Sequence, residues 1–161
     1  MQTSQYKIVT IPSYRAVGLK WDGPWAEISG LKEVIHGMRD RVGELEHAVN
    51  PNIQLGLSYH QRPDGFIHYS VYEVSEAQQI PEGMIEINVP ELTYLLTRHQ
   101  KGNDIGQTYA NIAQWMKESD YEVFVEPSVE YFDTLPIKHE KYPVDRDKMI
   151  PILTYLYLLC R

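Results

Sequence analysis

The chain holds 161 residues, 43% hydrophobic and 23% charged, a composition that excludes extended disorder and fibrous repeats and supplies a core without metal or disulfide support. Its 15 Lys and Arg stand against 22 Asp and Glu, a formal charge of -7, so the basic field that accompanies nucleic-acid binding is missing and no direct nucleic-acid partner is expected. No apolar run approaches the roughly 18 residues of a membrane span, no basic-then-apolar leader opens the chain, and the single cysteine, Cys160, has no intramolecular partner, so a cytoplasmic protein without membrane association is expected.

In chain order, residues 6–18 are rich in Ile, Val and Tyr and broken at Pro12, which predicts an edge strand with a kink. After the turn-prone Asp22-Gly23-Pro24, the apolar residues Ile28, Leu31, Ile35, Met38, Val42, Leu45 and Val49 recur every three to four positions. That spacing predicts one long amphipathic helix, stopped at Asn50-Pro51. Residues 53–60 and 66–74 read as a hairpin around Pro63-Asp64-Gly65. A second cycle follows, with strands at 83–89 and 92–99 divided by Pro90, a turn at 102–106 and a helix at 107–119. Strands are then expected at 121–125, 129–132 and 150–159, with the charged, Pro143-bearing stretch 137–148 as an exposed loop. The order is β-α-β-β twice, an α+β class, expected as a single domain over 1–161 with halves at about 1–80 and 81–161.

No HExxH or i, i+4 histidine pair exists among the six histidines, and GxSxG, GxxxxGK[ST] and GxGxxG are absent, so neither metal nor cofactor is expected. Glu122, Glu126 and Glu130 are interrupted by Pro127 and do not make a calcium loop.

The strings LGLSY, PDGFIHYSVYEV, IPEGM, VPELTY, TYANIAQWMKESDYE and VEYFD follow one another in one order. Together, over about residues 6–133, they resemble the GyrI-like small-molecule-binding domain, the effector-binding domain of bacterial transcription activators. The resemblance implies duplicated β-α-β-β halves about a pseudo-twofold, antiparallel sheets, two outer helices and a central ligand groove. It also implies an aromatic or cationic ligand held against a buried glutamate, which the VEYF motif places at Glu130. From the residues alone, Glu130 reads more simply as a solvated strand carboxylate. Where the family carries a glycine after the hairpin tyrosine, this chain has Tyr72, which predicts a narrower groove.

If Leu55, Leu57 and Tyr59 face the helices, alternation turns Gly56, Ser58 and His60 to the opposite face, where the groove is expected. The same parity turns Glu130 to the groove between Ser128 and Phe132. It also separates Tyr69 from Tyr72; the neighbouring Gly56 favours Tyr72 as the groove residue, while its motif match keeps Tyr69 a candidate. Trp21, beside the Gly-Pro turn with Trp25, either closes the groove mouth or packs on the first helix, and Trp115 reads as structural.

Since the first strand begins near Tyr6, a stand-alone binding protein without a preceding helix-turn-helix is expected. Two alternatives accompany it: a hydrolase of cyclopropane-bearing genotoxic natural products, with Glu130 as base and Tyr72 or His60 as donor, and a protein-binding regulator of gyrase type.

Overall fold

In the computed structural model, residues 6–99, 104–143 and 152–159 are described. Nine antiparallel strands, β1 (Lys7–Ile11), β2 (Tyr14–Pro24), β3 (Ile53–Arg62), β4 (Gly65–Val74), β5 (Ile85–Val89), β6 (Leu92–His99), β7 (Glu122–Val123), β8 (Ile137–Pro143) and β9 (Ile152–Leu159), combine with two helices, α1 (Ile28–Asp40) and α2 (Ile105–Glu118). The sheet order is β1-β6-β9-β8-β3-β4-β2-β5, with β7 on the end of β9. Reversing that order exchanges β2 with β6, β4 with β9, β3 with β8 and β5 with β1. The units β2-α1-β3-β4 and β6-α2-β8-β9 are thus duplicated, and they meet at the β3·β8 seam.

Pro12 and Pro90 act as the sequence predicts, but with a larger effect than a kink. Each separates two strands that then pair in opposite halves: β1 joins β6 whereas β2 joins β4 and β5. β2 also runs on through Asp22-Gly23-Pro24, because Gly23 and Pro24 find partners in Phe66 and Gly65. The expected long first helix ends at Asp40 and is followed by a 3₁₀ turn over Val42–Glu44. Gly43 weakens helix continuation by about 1 kcal/mol relative to Ala, and Ala48 bridges Val74 on the sheet. The apolar period persists past the helix because Val42, Leu45 and Ala48 still pack on the same cluster.

Three apolar clusters hold the layers. On the inner sheet face, Ala16, Leu55, Leu57, Val71, Val89, Tyr94 and Ile137 form one core. On the outer face, α1 covers Val17, Tyr72 and Val74 through Met38, and α2 covers Leu95 and Leu135 through Ile112 and Met116. The N-terminus of α2 is capped by Asp104, whose side chain accepts from the Gly106 N–H at 2.9 Å.

Two strand assignments are corrected. Residues 129–132 form no strand, and Glu130 is exposed there; Pro127 and the positive φ of 67° at Ser128 bend the backbone out of an extended path. Conversely, 137–143 is β8, a central strand between β9 and β3, with Ile137 and His139 buried. Its alternation was hidden by the density of charge. Residues 102, 103, 144–148, 150 and 151, and Cys160, lie outside the described residues. No helix among those described is long and apolar enough to cross a membrane.

Candidate functional site

Strand pairing fixes which side chains share the outer face. Ser58 lies opposite both His68 and Lys138, Gly56 opposite Ser70 and Glu140, and Gln54 opposite Tyr142, so residues of three adjacent strands form rows across the seam. Both helices pack on this same face, and the space between them is a cleft of about 630 Å³. Leu55, Leu57 and Tyr59 therefore face the inner core, not the helices, whereas the small and polar set Gly56, Ser58 and His60 lies under them.

Trp25, Leu31 and Ile35 make one wall, and Tyr109, Ala110 and Ala113 of α2 the other. Ser58, His60, Phe66, His68, Lys138, Glu140 and Tyr142 make the floor, with Asp133 at the rim. A smaller cavity of about 200 Å³ lies inside the curl of the sheet beside Tyr94 and His139. Drug-sized ligands occupy roughly 300–1,000 Å³, which favours the outer cleft.

The floor carries two polar groups. In the first, Glu140 accepts hydrogen bonds from the Tyr109 and Tyr142 hydroxyls. Burial pushes its carboxyl above the usual carboxylate range, against the opposing pull of Tyr109 and Lys138. In the second, the Lys138 ammonium donates to Asp133 at 2.9 Å and to His60 Nε2 at 2.9 Å, and lies over the Tyr109 ring at 5.4 Å. Burial, then the Lys138 charge, pushes His60 down to about 4, so it is neutral and accepts. Lys138 is thus committed to Asp133 and His60, leaving Glu140 as the floor charge without an ion-pair partner among the described residues.

Aromatic faces complete the cleft. Phe66 stacks on His60 at 4.9 Å and meets Trp25 at 4.9 Å, and the Trp25 side of the mouth stays open, the residue being 56% exposed. Gly56 lets two floor rings close over its strand: a Cβ there would lie 2.9 Å from Tyr142 Cε2 and 3.0 Å from His68 Cε1.

The residues singled out in the sequence are scattered by the fold. His60 is on the cleft floor. Tyr72 is buried beneath α1 against Met38 and Val17, on the cleft face but in the core. Tyr69 is on the inner face, edge-on to Tyr59 at 5.7 Å. Trp21 packs its indole against Gly23 and Gly30 and edge-on to Phe66 at 5.2 Å, which is the helix-packing alternative. Glu130 lines none of these spaces, because the strand that was to aim it is absent. Sequence reasoning missed Glu140, Tyr142, Lys138 and Tyr109; the signal for the first three was the i, i+2, i+4 alternation in IKHEKYP. Among the described residues, no three His, Cys, Asp or Glu converge to hold a metal ion.

Comparison with known proteins matches this fold. The transcriptional regulator BrlR of Pseudomonas aeruginosa is 26% identical over 159 residues, covering 94% of this chain and 55% of the regulator, so the chain spans about half the length of that relative. The C-terminal domain of EcmrR superposes with a TM-score of 0.69 at 12% identity, covering 98% of each chain. SAV2435, solved bound to tetraphenylphosphonium, superposes with a TM-score of 0.65 at 14% identity, covering 96% of this chain and 93% of the other. Residues 4–152 match the model of the GyrI-like small-molecule-binding domain, and the chain belongs to that family.

Proposed function

We propose that the cleft between α1 and α2 binds an amphipathic small molecule, aromatic and cationic, with Glu140 as its polar anchor. The observation that carries this reading is the Glu140 carboxylate, clamped by two tyrosine hydroxyls and surrounded by aromatic walls while the neighbouring Lys138 is engaged elsewhere. A cation at that carboxylate relieves the cost of burying its charge, and the rings of Trp25, Phe66 and Tyr109 supply apolar contact and cation–π attraction. The cation bound to SAV2435 is of this chemical type. By the same reading, the chain is an effector-sensing module of the kind its regulator relatives contain.

Calorimetric titration with tetraphenylphosphonium tests the anchor. Glu140→Gln is expected to weaken binding by about 1–3 kcal/mol through loss of the Coulomb attraction between the buried carboxylate and the phosphonium charge, whereas Glu130→Gln, on the exposed loop, is expected to leave it unchanged. Equal affinity in wild type and Glu140→Gln removes the anchor role.

A second reading rests on the same group. A carboxylate raised by burial suits a general base that takes a proton from water as the water oxygen bonds to an electrophilic cyclopropane carbon, the strained ring C–C bond breaks, and its electron pair passes to a conjugated carbonyl oxygen that is then protonated. Product formation from a cyclopropane-bearing substrate, abolished by Glu140→Ala, distinguishes turnover from binding.

A further inference from the structure

We propose that the ligand presents a hydrogen-bonding atom to His68 Nε2 on the cleft floor, so that His68, held by Ser58, separates polar-headed amphiphiles from cations wrapped in carbon. The inference rests on the cleft being the ligand site and specifies what the deep end of that site recognises.

His68 is 3% exposed and lines the cleft. Its Nδ1 is 2.8 Å from Ser58 Oγ, but Nε2 is buried with no hydrogen-bond partner among the described residues. More than nine in ten buried polar groups in folded proteins are paired, so an orphaned nitrogen in a ligand cleft marks a missing partner. Its place is set by Gly56: Nε2 is 3.4 Å from the point a Cβ on Gly56 would occupy, and the Tyr142 ring edge is 2.9 Å from the same point, so the nitrogen lies beside the ring whose hydroxyl donates to Glu140. A ligand that reaches Glu140 past the edge of the Tyr142 ring therefore comes to Nε2.

Burial keeps the imidazole neutral by lowering His68 to about 4. A neutral ring bonded to a rotatable hydroxyl has two equivalent arrangements. When Ser58 donates to Nδ1, Nε2–H is a donor; when Nδ1–H donates to Ser58, Nε2 is an acceptor. A ligand ammonium, hydroxyl or carbonyl satisfies one or the other. An onium ion whose charge is enclosed by alkyl or aryl groups satisfies neither and leaves the nitrogen desolvated and unpaired.

Two probe pairs test this by calorimetry at neutral pH: 1-naphthylmethylammonium against its trimethylammonium derivative, and 1-naphthylmethanol against 1-ethylnaphthalene. Wild type is expected to favour the hydrogen-bonding member of each pair by about tenfold, and His68→Phe to bring both ratios close to one. Equal affinities within both pairs in wild type overturn the inference while leaving the cleft reading intact. Failure of every probe, tetraphenylphosphonium included, to bind overturns both. Because Glu140 also accepts from an ammonium or hydroxyl, both pairs are measured in Glu140→Gln as well: ratios that persist there sustain the inference even where His68→Phe folds poorly, and ratios that fall to one overturn it.

Discussion

Replacing His68 by Phe removes a proton-linked contribution whose size follows from the burial of the ring. In the folded chain the imidazole is held at about 4 against an ordinary value of 6.5, a gap of about 2.5 pH units at about 1.4 kcal/mol each. Between those two values the unfolded chain carries a proton that the folded chain does not, so folding stability rises with pH across that window. The contribution is complete above the ordinary histidine range and is lost as pH falls to about 4, by which point wild type has forfeited about 3 kcal/mol. His68→Phe has no such loss. Urea denaturation followed by tryptophan fluorescence, run on both proteins from neutral pH down to about 4, isolates the effect in the difference between them. Constant offsets from the lost Ser58 contact cancel, as do the acid-side losses from buried His60 and His139. The stability of His68→Phe relative to wild type is expected to improve by about 3 kcal/mol over the window. A difference that stays flat with pH refutes the claim that His68 is buried and neutral.

Gly56→Ala drives a methyl to 2.9 Å from Tyr142 Cε2 and 3.0 Å from His68 Cε1; because both rings are held, by Glu140 and by Ser58, about 1–3 kcal/mol of overpacking is expected, with a loss of probe affinity, and calorimetry beside thermal melts reads the two separately. Met38→Ala opens a cavity between α1 and the Val17–Tyr72 surface, where Met38 is fully buried, and is expected to cost about 2–5 kcal/mol in denaturant unfolding; a cost below about 1 kcal/mol contradicts the packing of α1 described above.

The hairpin and the two helices were legible because their patterns are local. The hairpin of β3 and β4 announces itself through alternation around Pro63-Asp64-Gly65, and α1 and α2 through apolar residues every three to four positions. What the sequence did not settle was which face each set occupies. Alternation separates Leu55, Leu57 and Tyr59 from Gly56 and Ser58, yet gives no sign of which face the helices cover. The apolar set is taken by the inner core, to which β1 and β6 contribute from one end of the sheet and β5 from the other, a long-range arrangement that no local window contains. β8 escaped for a related reason. Lys138, Glu140 and Tyr142 look like a solvated charge run until Ile137 and His139 are seen to be buried between them. Glu130 illustrates the reverse error, since VEYF matches a strand motif by composition while Pro127 and the φ of Ser128 prevent the strand.

The palindromic strand order gives the backbone a symmetry that the cleft chemistry does not share. At the seam, β3 and β8 are equivalent strands in the two halves, yet β3 brings Gly56 and Ser58 to the rows where β8 brings Glu140 and Lys138. One side of the floor is therefore small and neutral, backed by the His68 imidazole; the other is charged and clamped by Tyr109 and Tyr142. The helices do not restore the balance, because Trp25 opens the α1 side to solvent at 56% exposure while Tyr109 on the α2 side is tied down onto Glu140. A molecule lying across the seam meets different partners at its two ends, so an elongated ligand with unlike ends gains contacts that a spherically symmetric cation does not. That asymmetry makes the matched probe pairs, not any single cation, the sharper measure of what the cleft recognises.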